Sequence, residues 1–236
     1  MESVKIENTD LINELLIDAG KKADKDYLVY VDYLIEKASV SVIDKVSINI
    51  VYLLGEIGRA NILEIKYLDF LIQIYYNSDR WVRDEFIQTL NKLFNHHKFT
   101  NEIFHILAYA LLEDYIPLKI NTLKLLNKIG NLPDYILKNL LKTIDHSNLE
   151  VVDYSIQILK KHVKNDSALF HIFDSSENYK ILTKNSIRVL LVEYFDSLPK
   201  LENFRERIEK ANWNEKYKSL LFKEINSYQR ILISRQ

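Results

Sequence analysis

The sequence predicts an all-α chain built as an α-solenoid of antiparallel helix pairs, and two observations predict it. Seven stretches, beginning at Leu11, Val46, Val82, Leu118, Val151, Leu182 and Trp213, recur at spacings of roughly 31–36 residues, the period of stacked two-helix units. Eight residues after each start stand Ala19, Leu54, Leu90, Leu126, Leu159, Leu190 and Leu221, so the same offset is apolar every time. The second observation is the punctuation. Only four glycines and three prolines interrupt the 236 residues, and no Asn-Gly or Asp-Gly turn joins two alternating runs, so helices are long and strands are not expected. Six to seven repeats are expected in one domain spanning 1–236, clear over 10–196 and divergent over 197–236, where the last repeat caps the stack.

The second helix of each repeat carries the stronger pattern. In Val82–Leu93 and Leu118–Ile129 the residues at offsets 0, 4, 5, 8 and 11 or 12 are mostly apolar. At about 100° per residue these fall on one face, which makes each stretch an amphipathic helix. Thr122, Ser155 and Ser186 occupy offset four, where small side chains let neighbouring helices approach. The first helices are expected over 27–38, 61–76, 101–112, 133–144, 167–173 and 201–210. Their thin polar faces suit helices packed on several sides.

Links between the helices carry capping residues, as in Asn77-Ser78-Asp79 and Asp145-His146-Ser147-Asn148. Ser147 with Glu150, and Asn212 with Glu215, have the spacing of capping boxes. Gly20, Gly58 and Gly130 stand where left-handed helix caps are wanted, and Pro117, Pro133 and Pro199 where helices begin. The last helix is apolar along Tyr217, Leu221 and Ile225, a face expected to pack inward with Lys216, Lys218, Lys223 and Glu224 in solvent. The more exposed end could instead dimerise, so the oligomeric state is open.

Three features bring the chain close to a known family. Asp79-Arg80-Trp81-Val82-Arg83-Asp84 sets Asp and Val-Arg at the head of a second helix, Ser147-Asn148-Leu149-Glu150-Val151-Val152-Asp153 follows a related pattern, and Leu54-Gly55-Glu56-Ile57-Gly58 closes another. In these the chain resembles the HEAT-repeat (PBS-lyase-HEAT-like) family. The likeness is specific for architecture and departs at Ser47, Lys119, Val152 and Thr183, which stand where Arg83 does. It implies a curved stack with the second helices on the concave face.

Composition narrows the chemistry. Without cysteine there is no disulfide, thiolate zinc site or cysteine nucleophile. A formal net charge of −1 supplies no global field for nucleic acid or anionic membrane. The start, residues 1–7, lacks the character of an export signal, and no apolar run approaches the ~18 residues that span a bilayer, so a cytoplasmic protein without membrane insertion is expected. Adjacent His96 and His97 do not converge on one ion, and exposed loop histidines are the plainer expectation. Gly55-Glu56-Ile57-Gly58 has the outline of a phosphate loop, but Glu56 would repel phosphate. Asp84-Glu85 and Glu113-Asp114 suit first turns and links rather than an acid–base pair. No catalytic residue, cofactor or metal site is expected. Of the two tryptophans, Trp213 is expected in the core, and packing is favoured over an exposed anchor for Trp81.

Function is therefore sought at offsets 3, 6 and 10 of the second helices, away from the apolar arc. These are Asn49, Tyr52 and Glu56; Glu85, Gln88 and Lys92; Asn121, Lys124 and Lys128; Tyr154, Gln157 and Lys161; and Asn185, Arg188 and Val192. The strip passes from acidic or neutral to basic, and could hold a protein or peptide with an acidic segment. Asn49, Asn121 and Asn185 share one offset, as in the asparagine ladders of armadillo-type solenoids, though Glu85 and Tyr154 interrupt the series; a merely solvated helix face is the competing expectation. The expected function is a non-enzymatic binding scaffold or adaptor. Its alternative, implied by the HEAT resemblance, is a nucleic-acid-binding solenoid of the alkylpurine DNA glycosylase type, with Lys92, Lys124, Lys128, Lys160, Lys161 and Arg188 tracking phosphates. A bilin-lyase-like role is a further implication of the family, with no pigment pocket marked in the sequence.

Overall fold

Helix-forming runs separated by short capped links fold as their pattern requires. In the computed structural model, which describes residues 8–234, the chain forms thirteen α-helices and two 3-10 segments, with no strand among the described residues. Residues 1–7, on which the expectation about an export signal rests, lie outside the described residues. The chain divides into two compact units, one ending at Leu125 and the other beginning at Leu126.

The first unit holds α1 (Thr9–Lys22), a 3-10 turn (Lys25–Tyr27), α2 (Leu28–Lys37), α3 (Val40–Gly58), α4 (Ile65–Asn77), α5 (Arg80–Leu93), α6 (Asn101–Ala110) and α7 (Ile116–Leu126), whose last residue opens the second unit. Here α3 is central, packing against α1 on one side and α5 on the other, while α2 and α4 lie against it as well. Its buried side chains include Val46, Ile50, Val51, Leu53, Leu54 and Ile57, so most of its circumference is covered. The second unit holds α8 (Asp134–Thr143), α9 (Leu149–His162), α10 (Asp166–Asp174), a 3-10 segment (Ser175–Ile181), α11 (Lys184–Tyr194), α12 (Leu198–Lys210) and α13 (Glu215–Ser234). Within it α8 packs on α9, and α13 on both α11 and α12.

The expected first helices all form, with ends moved by a few residues. The expected second helices form too, but Val46 lies well inside α3, while Leu182 and Trp213 precede their helices. Both are buried from the link rather than from a helical face. Trp213 is stacked at 16° on Tyr179 and on Phe170, and its indole N–H donates to Asp174 Oδ1 at 2.5 Å. The polar faces of the first helices are thin only in part: α12 buries Leu201, Phe204 and Ile208 alone.

Two local expectations are corrected. Ser147 does not cap α9; Asn148 does, accepting from the Val151 N–H at 3.2 Å. At α13 it is Asn214, not Asn212, that accepts from the Lys216 N–H. A capping box does form, at α11, where Thr183 and Ser186 bond each other's backbone. In each case the cap is the residue immediately before the helix, where a side chain can accept from a free N–H, and Ser147 stands one residue and Asn212 two residues too early.

The glycines are not caps. No glycine has a positive φ, and the left-handed cap of α1 is Ala23 at φ 54°. Gly20, Gly55 and Gly58 instead sit inside helices at points of contact. A methyl group on Gly20 would overlap the Tyr52 ring, one on Gly58 would overlap Leu93, and one on Gly55 would lie 2.5 Å from Thr89 Oγ1. The Thr89 hydroxyl is buried and donates to the Val51 carbonyl at 3.0 Å, so it cannot swing away cheaply. These glycines let α3 approach α1 and α5 closely. Gly130 has no such neighbour, and nothing in the structure explains it. The prolines behave as expected, with Pro117 and Pro199 in first turns and Pro133 as the N-cap of α8.

Gly55→Ala should therefore destabilise the protein, although alanine favours an isolated helix by ~1 kcal/mol. Overpacking costs ~1–3 kcal/mol, and thermal denaturation should show a lowered midpoint; an unchanged or raised midpoint contradicts the close-approach role.

Candidate functional site: the polar face of the second helices

In the first unit the side chains of the expected strip are bonded across neighbouring helices. Asn49 on α3 donates through Nδ2 to Asn13 Oδ1 on α1 at 2.7 Å. Glu56 on α3 and Glu85 on α5 both hold the Lys92 ammonium, at 3.0 and 3.2 Å, and Arg59 adds a second cation to Glu56 at 2.9 Å. Lys92 also lies 5.3 Å from the centroid of the Tyr52 ring, a cation–π contact that fixes the ring over Gly20. On α5, Asp84 accepts from Gln88 Nε2 at 3.2 Å and from Asn121 Nδ2 of α7 at 2.8 Å. The strip thus links α1 to α3, α3 to α5, and α5 to α7. Lys92, Glu56 and Glu85 are each less than one-fifth exposed, where a charge–charge contact is screened less than on an open surface.

The structure corrects one carboxylate expectation here and gives a second a partner. Asp84 is buried, because α7 covers it, rather than lying free in a first turn. Glu113 closes a two-point pair with Arg83, whose Nη2 donates to Oε2 at 2.9 Å and whose Nε stands 2.8 Å from Oε1, while Nη1 reaches the Ser78 carbonyl at 2.7 Å. A guanidinium held this way ties the head of α5 to the end of α6. Lys124 is exposed on the outer face of α7.

In the second unit the strip is more open. Gln157, Lys161, Asn185 and Arg188 are exposed, as is Lys128, while Tyr154 is half-buried and Val192 points outward from α11. Lys161 nevertheless donates to the Asn127 carbonyl at 2.6 Å, and Lys160 reaches Glu193 of α11, also at 2.6 Å. Arg188 Nε meets Glu224 Oε2 of α13 at 2.5 Å, with Lys184 3.8 Å from the same carboxylate. Glu224 is only 5% exposed, which overturns its expected place in solvent. A buried carboxylate needs such cations, and Arg188 and Lys184 supply them. Lys218, expected in solvent beside it, has a side chain only 12% exposed.

Two features escaped the sequence. One is that Asn13 bonds to Asn49 and Asp84 to Asn121, so a polar residue near the head of one helix reaches an asparagine on the next second helix. The polar Asn13 and Asp84 two residues after their starts were the available signal, although Ile48 and Ile120 stand at the same offset elsewhere. The other is an aromatic cluster formed by the first turn of α5 and the residue before α7. Trp81 is 53% exposed rather than packed in the core. Its ring lies 5.2 Å from that of Tyr115, and the Arg80 guanidinium sits within 5.3 Å of both.

His97 departs from the expected exposed loop histidine. It is half-buried, and its Nε2 accepts from the Leu63 N–H at 3.2 Å, which requires the neutral ring. Burial, followed by the neighbouring His96, lowers its affinity for a proton, with a backbone bond at Asn61 opposing them. His162 in the second unit is lowered chiefly by burial and then by Lys161. Among the described residues no group of three His, Cys, Asp or Glu side chains is placed to hold a metal ion, and no helix is long and apolar enough to cross a membrane.

No protein-family model and no curated protein matches the chain. Among solved structures it is similar to the crystal structure of an engineered protein, with 12% identity over 95% of this chain and 93% of that one and a TM-score of 0.44.

Two outcomes test this geometry. Lys92→Met should leave Glu56 and Glu85 facing each other without their shared cation, at a cost of roughly 1–3 kcal/mol. Urea denaturation should show it, with Glu85→Gln in the same background recovering part of the loss. For His97 the folded ring holds its proton less tightly than the unfolded ring at 6.5. Its contribution to stability is complete above pH 6.5 and is lost as pH falls, because the unfolded chain takes up the proton first. His97→Gln, which can still accept from Leu63, should flatten the decline of the melting temperature below pH 6.5.

Proposed function

We propose that the chain is a HEAT-like α-solenoid spanning 1–236 that binds a protein or peptide on the polar face of its second helices. In the HEAT resemblance that face is the concave one. The role is that of a non-enzymatic cytoplasmic scaffold or adaptor. The observation that carries this reading is the set of cross-helix bonds from Asn13–Asn49 through Glu56–Lys92–Glu85 to Asp84–Asn121. A face whose side chains are already held loses little conformational entropy when a partner docks. It also presents acceptors and donors in fixed positions, which favours recognition by shape and hydrogen bonding.

The same bonds weigh against phosphate tracking. Of the six cations expected to follow a nucleic acid, Lys92 is held by two carboxylates, Lys160 by Glu193 and Arg188 by Glu224, while Lys161 serves backbone carbonyls. A phosphate would have to displace these partners, which offsets the gain from counterion release. Protein recognition needs no such exchange.

Lys124 and Lys128 are exposed basic positions of the strip, as are Lys161 and Arg188, and an acidic partner segment would meet this basic part of it. The double variant Lys124→Glu/Lys128→Glu should recover at least tenfold less partner than wild type in affinity purification from the native cell, with an unchanged helical circular dichroism spectrum. Equal recovery of every partner by a folded variant would defeat the role of this face.

A further inference from the structure

A second surface, away from the strip, has its own chemistry. In the first unit a groove runs between α2 and α4, with the N-terminal half of α3 at its base. Two adjoining cavities make it up, of about 250 and 300 Å³, and they share Ile35, Phe70 and Gln73. Along α4 the groove extends from Lys66 to Asn77, about 16 Å or three turns of helix.

Its lining is apolar in the middle and acidic at the rim. Ile35 and Val40 are 40% and 78% exposed, and Phe70 and Ile43 are half-buried between them. Glu36 on α2, Asp69 on α4 and Asp44 on α3 border this strip, all exposed, and none is in an ion pair among the described residues. The lining cation, Lys66, is already engaged: it lies 2.8 Å from Asp32, whose carboxylate also accepts from the Tyr67 hydroxyl at 2.9 Å. Three carboxylates therefore surround exposed apolar side chains without local compensation.

We infer that this groove docks a basic amphipathic helix of a partner protein, with apolar residues at i, i+3/i+4 and i+7 on Ile35, Val40 and Phe70 and lysine or arginine facing Glu36, Asp44 and Asp69. The charge selects a basic occupant, since an acidic one would meet three like charges. The walls select a helix. Both are α-helices with their backbone bonds closed internally, so an extended peptide would find no edge to pair with and would leave its own N–H and C=O groups unmet. A helix brings those groups already satisfied, and the three-turn length matches a short recognition helix.

The test uses fluorescence anisotropy of the full chain with three labelled peptides of about 14 residues. The first carries leucines at helical spacing flanked by lysines, the second replaces its lysines by glutamate, and the third scrambles the first at equal charge. The first should bind at least tenfold more tightly than the other two, which is ~1.4 kcal/mol. Glu36→Lys/Asp69→Lys should remove that preference, while Lys124→Glu/Lys128→Glu should keep it, so failure here is separate from failure of the second-helix face. Absence of binding, equal binding of the scrambled peptide, or binding that survives Glu36→Lys/Asp69→Lys would overturn the inference. Concentration-dependent self-association in sedimentation, abolished by the same double variant, would overturn it in favour of a second copy of this chain as the occupant.

Discussion

The close approach of α3 to α1 and α5 governs what the first unit can do. Helices packed through large side chains stand too far apart for an asparagine on one to reach an asparagine on the next. Where Gly20 lies under Tyr52, and Gly55 and Gly58 under Thr89 and Leu93, the backbones come together and short polar side chains span the gap. The Asn13–Asn49 bond and the Glu56–Lys92–Glu85 bridge are consequences of that spacing. Small residues act similarly in the second unit, where buried Ser155 and Thr143 bond each other between α9 and α8.

This spacing also separates two kinds of surface in the first unit. On the strip, polar groups neutralise one another and are held in place, which suits recognition by shape. Between α2 and α4 the helices do not close on each other, and Ile35, Val40 and Phe70 are left open beside carboxylates without cations.

How much of this was legible differs from residue to residue. The apolar offsets announced the helices, and Pro133 and Asp79 marked two of their starts. The candidate strip was legible as a list of outward offsets, since helical periodicity alone assigns faces. What periodicity cannot give is the neighbour of each face. Glu224 was expected in solvent because it is charged, yet Arg188 and Lys184 reach it from α11 and it is buried. Asp84 looked like a first-turn acid until α7 covered it. Gly58 had the position of a cap, and only the presence of Leu93 beside it shows why glycine is needed.

The sequence by itself determined the helical class, the order and approximate ends of the helices, and which side of each is apolar. These depend on local propensity and on a period of 3.6 residues, and both are properties of a single stretch of chain. Tertiary structure alone decided which polar side chains are held by partners, which glycines admit a neighbouring helix, that Trp81 faces outward while Trp213 is enclosed, and that a groove lies between α2 and α4. Each of those depends on distances between residues some 30 to 40 positions apart, set by how one helix seats on the next, and no local pattern encodes them.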